Sequence, residues 1–281
     1  MMPIALAALI AVLYAGQLEG LASEWASSPD ASYGVALACV AVVIAWQRRQ
    51  SLALAFDSHS PPFAGLAVLA TGIAVYLAGS LGADLFLTRA SLVIVLAGLM
   101  WYLAGGPAVR VMAAPLLFLL LAIPLPVLVV NAVTLPLQLV ASRIAESTLT
   151  MAGVPVYRDG NVLQLPSTLL QVADACSGLR SLVSLGALAV LLAWATQPSL
   201  ARRLAMIAAS VPIAIVTNGL RIAATGAACE LWGRDVASGG WHTFTGWVTF
   251  IISLWLLVQA SRAMARLAPS ASAWTPGVVR A

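Results

Sequence analysis

A chain of 281 residues, 62% of them hydrophobic and only 9% charged, cannot cover itself with polar groups in water, where folded domains carry about 25% charged residues. A soluble globular protein is excluded and an integral membrane protein is implied. The net charge of +4 comes from arginine alone, since there is no lysine, and in a membrane protein such charge first encodes orientation. No basic stretch is interleaved with aromatics, and the two histidines and three cysteines fall at no metal-ligand spacing. Nucleic acid, a metal and a cofactor are therefore not expected.

In chain order, the first apolar run covers residues 3–18. It lacks a basic start, so it reads as a retained helix rather than a cleaved signal. Glu19, Glu24 and Asp30 follow. A second run, 33–46, stops at Arg48-Arg49, and further runs cover 63–80 and 90–104. Arg110 precedes a run over 111–130 that holds Pro115, Pro124 and Pro126, which predict a bent membrane helix. Residues 131–175 are more polar. An amphipathic helix is predicted at 133–151, then two short strands within Val154–Leu165 around an Asp159-Gly160 turn. Runs over 179–196, 204–226 and 243–260 complete the chain, with a polar tail beyond residue 262. The expected architecture is one all-α multi-spanning domain over 1–262. It has about eight transmembrane helices and a small extracytoplasmic strand element before the sixth.

Alternating these spans from an inside Arg48-Arg49 gives eight arginines and one acid inside, against six arginines and nine acids outside. That asymmetry fixes the orientation. Cys176 then lies outside, just before the sixth span. Arg221 lies 18 residues beyond the inside anchor Arg203, roughly 27 Å of helix. His242 lies 20 residues before Arg262, roughly 30 Å. Both distances are close to the ~30 Å of a bilayer core, so Cys176, Arg221 and His242 are expected at one depth on one side. His59 falls on the other.

Cysteine, histidine and arginine together suit acyl transfer. A thiolate attacks, and a neighbouring cation or a helix start lowers its pKa. A histidine passes a proton to the leaving amine, and an arginine holds the developing oxyanion. Arg180, four residues after Cys176, shares its helical face. Asn218 stands one turn before Arg221, and Asp174 reads as a helix cap. Cys39 reads as small apolar filler inside its helix. Cys229 reads as inert or as a partner of Cys176. Two other classes stay open. One is a non-enzymatic carrier or assembly component for an exported polysaccharide, with Arg180 and Arg221 on an anionic head group. The other is a thiol oxidoreductase using Cys176 and Cys229.

Ala175-Cys176-Ser177-Gly178-Leu179-Arg180-Ser181-Leu182 resembles the signature of the exosortase/archaeosortase family. Pro115-Leu116-Leu117-Phe118-Leu119 with Ile123-Pro124-Leu125-Pro126 is similar to its proline-rich helix. Gly153-Val154-Pro155-Val156 with Gly160-Asn161 is similar to the segment before its cysteine. Pro212-Ile213-Ala214-Ile215 with Asn218-Gly219-Leu220-Arg221-Ile222 resembles its arginine motif, and His242 with Gly246 its histidine motif. The resemblance implies a cysteine protease or transpeptidase of a bacterial inner membrane, its active site facing the periplasm. Its implied partners are exported proteins with a C-terminal motif, hydrophobic helix and basic cluster, and a glycan or lipid-linked acceptor within the bilayer. It implies Cys176, Arg221 and His242 as catalytic, with Arg180, Asn218, Ser177 and Gly178 supporting. Ser32-Tyr33-Gly34 departs from the Ser-His-Gly of many members and implies a divergent subfamily.

Overall fold

The computed structural model describes residues 2–28, 31–55, 62–172, 179–233 and 240–267. The chain divides into two compact units, Met1–Val127 and Leu128–Ala281.

The first unit holds α1 (Met2–Ser27), α2 (Tyr33–Gln47), α3 (Arg49–Ala55), α4 (Pro62–Leu81) and α5 (Leu85–Leu121). Glycine sets the packing of α4 on α5. A Cβ built on Gly65, Gly72 or Gly79 would stand 2.4 Å from the Tyr102 nitrogen, 2.7 Å from Val95 Cγ2 and 2.6 Å from the Thr88 nitrogen, respectively. One on Gly98 would stand 2.5 Å from the Leu69 nitrogen. The two backbones therefore touch along an antiparallel seam with a seven-residue period, as small residues permit in membranes. Asp84 caps α5 by accepting from the Leu87 N–H at 2.8 Å, as N-cap carboxylates do.

Inside α5 the ladder breaks at Gly105, whose φ of 80° and ψ of 173° suit glycine. Further on, Pro115 has no N–H to give the carbonyl of Val111, and the Arg48 guanidinium donates to that carbonyl at 2.6 Å. A carbonyl left unpaired on burial costs about 1–3 kcal/mol, so this part-buried bond gives Arg48 a structural task. At the far end of α5, the Trp25 indole donates to the Ala122 carbonyl at 3.0 Å. Gly34 fits beneath them, since its Cβ would stand 2.1 Å from the indole nitrogen. Arg89 pairs with Glu24 at 2.5 Å, and the Tyr14 and Ser91 hydroxyls bond at 2.7 Å, which ties α1 to α5.

The second unit holds α6 (Val127–Met151), the strands β1 (Tyr157–Asp159), β2 (Val162–Gln164) and β3 (Leu169–Gln171), then α7 (Leu179–Thr196), α8 (Leu200–Trp232) and α9 (Gly240–Leu267). α6 ends in a Schellman motif. Gly153 has φ +80°, its N–H donates to the Thr150 carbonyl at 3.0 Å, and that of Val154 to the Leu149 carbonyl at 3.0 Å. The strands pair antiparallel in the order β1-β2-β3. Gly160, with φ +62°, takes the first position of the two-residue β1–β2 turn, as a type II′ hairpin requires. The sheet packs through Leu163, Leu165 and Val172 onto Ala145 and Leu149 of α6 and Ile222 of α8. Gly219 approaches Ile144 and Gly226 approaches Leu149, so α6 and α8 run parallel and end on the same side.

α7, α8 and α9 pack through Leu185, Ala189, Met206, Ala214 and Leu257. At the end away from the sheet, the Thr196 hydroxyl meets that of Ser261 at 3.0 Å, and Arg203 Nε donates to the Gln197 carbonyl at 2.9 Å. The starts of α7 and α9 therefore lie at the end of the unit that carries the sheet.

Five helices among the described residues are long and apolar enough to cross a membrane: Phe63–Leu81, Leu85–Leu121, Leu128–Met151, Leu200–Trp232 and Phe244–Arg266. The expected eight are not reached, and Tyr33–Gln47 and Ser181–Thr196 are shorter apolar helices. The runs at 90–104 and 111–121 are two helices that meet at the non-helical Gly105 within the single span Leu85–Leu121. The run expected to bend through Pro124 and Pro126 instead stops at Leu121, because two prolines in three residues remove the donors that would continue it. The helix expected at 133–151 starts at Val127 and is one of the five. Both predicted strands are present, together with a third, β3. Cys39 is exposed on α2 rather than packed within it.

Candidate functional site

The stretch Asn218-Gly219-Leu220-Arg221-Ile222 presents each residue to a different neighbour, because a helix turns about 100° per residue. Asn218 is buried at 2% exposure, Ile222 joins the core under the sheet and Leu220 faces outward. Gly219 admits α6, and a Cβ there would stand 2.6 Å from Ile144 Cγ2. That leaves Arg221, half-buried, directed at α9.

Its guanidinium lies on Gly246 of α9, where a Cβ would stand 3.5 Å from Nη2 and 3.6 Å from Cζ. The Thr225 hydroxyl donates to the Arg221 carbonyl at 3.0 Å, and the Thr217 and Ser253 hydroxyls join α8 to α9 at 2.8 Å. Arg221 also borders two hollows. One is small and is walled by Leu170, Gln171 and Val172 at the end of β3. The other is a cleft of ≈ 360 Å³ between α8 and α9, walled by Leu220, Ala224, Phe244, Val248 and Ile252. Arg221 is the one charged residue among the described lining of either. A cation in so apolar a setting is costly, which makes Arg221 a candidate functional residue.

The sheet delivers the chain to this place. The Val172 N–H donates to the Asn161 carbonyl at 2.9 Å. The Asn161 amide donates to Gln138 Oε1 at 3.0 Å and to the Val172 carbonyl at 3.3 Å. The Ser142 hydroxyl donates to the Gly160 carbonyl at 3.1 Å. Two charged contacts hold the outer edges: Arg158 with Glu146 at 2.7 Å, and Glu230 accepting from the Ser167 hydroxyl at 2.6 Å and N–H at 3.0 Å. Val172, exposed by only 1%, is thus fixed beside Arg221 four residues before Cys176. Four residues span at most about 14 Å.

Of the residues singled out from sequence, Arg221 and Asn218 sit together on α8. Cys176, Ser177 and Gly178 lie outside the described residues, as does His59. Arg180 is the second residue of α7, and His242 is in the first turn of α9, one helical turn before Gly246. The side chains of both lie outside the described set. Cys229 is buried in α8 at 1% exposure. Sequence reasoning passed over Gln138, and it gave Asn161 and Gly246, which stand in the family resemblance, no task. The signals were a turn asparagine beside a glycine, and a glycine four residues after a histidine.

A family model described as "Transmembrane exosortase (Exosortase_EpsH)" matches residues 25–259, a range that holds every residue named in this site. No curated protein and no solved structure matches the chain.

Proposed function

The chain belongs to the transmembrane exosortase family, and from that premise we propose that it is a membrane-embedded cysteine peptidase or transpeptidase. It acts on the C-terminal sorting signal of exported proteins at the outer face of a bacterial inner membrane. The observation that carries the reading is the position of Arg221. Its guanidinium rests on Gly246, one helical turn from His242, and borders the same hollow as Val172, four residues before Cys176.

In this mechanism the Cys176 thiolate attacks the scissile carbonyl, and its electrons move onto the carbonyl oxygen. Arg221 stabilises that oxyanion in a site of low dielectric, where such a contact is worth more than in water. Collapse breaks the C–N bond and leaves a thioester on Cys176, while His242 protonates the departing amine. Water then yields a free carboxylate, or an acceptor amine yields a new amide, and the thiol is restored. Arg180 orients the substrate, Asn218 supports the site from within α8, and Ser177 and Gly178 stand beside the nucleophile.

Cys176→Ala is expected to abolish cleavage of a co-expressed tagged substrate while the variant still inserts, read by mass spectrometry of the substrate's new C-terminus. Normal processing by that variant would remove the reading. It would favour a carrier for exported polysaccharide, which tolerates a blocked Cys176.

A further inference from the structure

The two edges of the small sheet differ. β1 carries Arg158 and Asp159 along one edge, and Arg158 is tied to Glu146 of α6 at 2.7 Å. Charges placed this way guard an edge against further pairing. β3, at the other edge, reads Leu169-Leu170-Gln171, with neither a charge nor a proline. Leu169 is 68% exposed, and Gln171 is exposed as well.

Register decides which backbone groups of β3 face outward. Leu165 and Thr168 exchange both bonds, at 2.8 and 3.3 Å, and the Val172 N–H donates to the Asn161 carbonyl at 2.9 Å. Leu163 stands opposite Leu170 between them. In an antiparallel pair, such bonded residues alternate with residues whose N–H and C=O point away from the partner. Thr168, Leu170 and Val172 therefore turn their backbone toward β2, and Leu169 and Gln171 turn theirs outward. Among the described residues, β2 is the one strand beside β3, and no group bonds to those outward N–H and C=O groups.

This edge is continuous with the candidate site. Leu170, Gln171 and Val172 wall the same hollow as Arg221 and Thr225 of α8. An uncovered edge is a template for one more strand, and a peptide taken in this way is held by its backbone, with alternate side chains left to set specificity. We infer, resting on the peptidase reading, that the outer edge of β3 pairs with the extended segment of the exported substrate that carries the scissile bond. Leu169 and Gln171 offer two donors and two acceptors roughly 7 Å apart, the two-residue repeat of an incoming strand. Pairing at Gln171 sets the substrate backbone beside the hollow that Arg221 borders, and such positioning is itself a large part of catalysis.

Oxidative thiol cross-linking tests this in the full chain carrying Cys176→Ala and Cys39→Ser, where no turnover is needed. The probe is a co-expressed tagged exported protein that ends in a motif, apolar helix and arginine cluster, with a single cysteine moved residue by residue through the motif. Leu169→Cys is expected to capture every second position, and Gln171→Cys the same set displaced by two residues. Asp159→Cys, on the β1 edge, should capture none. Capture without alternation overturns the inference, as does no capture. A homodimer of Leu169→Cys chains would assign the edge to a second copy and overturn it too. A backbone variant is tested with Cys176 intact. Gln171→Pro removes an outward N–H that no described group accepts. It should raise the substrate level for half-maximal cleavage about tenfold, the scale of one hydrogen bond, and by more than Gln171→Ala, which keeps the N–H. Equal effects would place the loss in the side chain and sink the pairing. Should Gln171→Pro fail to fold, the cross-links decide. Missing alternation beside a cleavage-dead Cys176→Ala overturns the pairing and leaves the peptidase reading standing.

Discussion

At Gly246, the space that a side chain would fill is occupied by the guanidinium of Arg221. A methyl there would make ordinary contact at 3.5 Å from Nη2, but the branches of a valine would push into the fork. Gly246→Ala is therefore expected to keep most processing activity. Gly246→Val should lose about 100-fold, the scale of a misplacement of about 1 Å. Substrate cleavage at matched expression measures both, and an active Gly246→Val would separate Arg221 from the reaction. The arginine itself was legible in sequence, because a charge inside an apolar run must be justified. Gly246 was not, because its task exists only once α9 lies across α8. Asn161 was hidden for a similar reason: its amide joins Gln138, 23 positions back, to Val172, 11 positions on.

Helices were read from the sequence more surely than their ends. Hydropathy located α4 and the apolar parts of α5, α8 and α9, since long apolar runs have few alternatives. It could not tell a proline that bends a helix from one that stops it, and Pro124 with Pro126 stopped it. β3 escaped because three residues after a Leu165–Thr168 turn are too few to show alternation. The heptad Gly65, Gly72, Gly79 was visible as spacing but meaningless until Thr88, Val95 and Tyr102 faced it. Its weight is testable. Gly72→Ala sets a Cβ 2.9 Å from the Val95 nitrogen, which backbone alone can relieve, and such overpacking costs about 1–3 kcal/mol. Gly16→Ala has nothing within 4 Å. Thermal unfolding in detergent should drop for the first and stay put for the second. Equal midpoints would mean that the seam tolerates a wider gap.

At the scale of the whole molecule, the sorting of charge is visible within the first unit. In the first unit, Glu24, Asp84 and Arg89 gather at the start of α5, while Arg48 reaches Val111, just past the break at Gly105. The span count met a mixed outcome: the runs at 90–104 and 111–121 are two helices that meet at Gly105, while α6, expected outside the membrane, starts at Val127 and is long and apolar enough to cross it. The seam between α4 and α5 also bears on how the chain is made. Only Gly82–Asp84 separate the two helices, and α4 alone would turn bare backbone at Gly65, Gly72 and Gly79 toward lipid. Synthesis therefore favours entry of the pair into the bilayer as a single hairpin. A ribosome-arrested chain should become protease-resistant over residues 62–81 only after residue 102 has left the exit tunnel. Protection gained earlier would show α4 entering by itself.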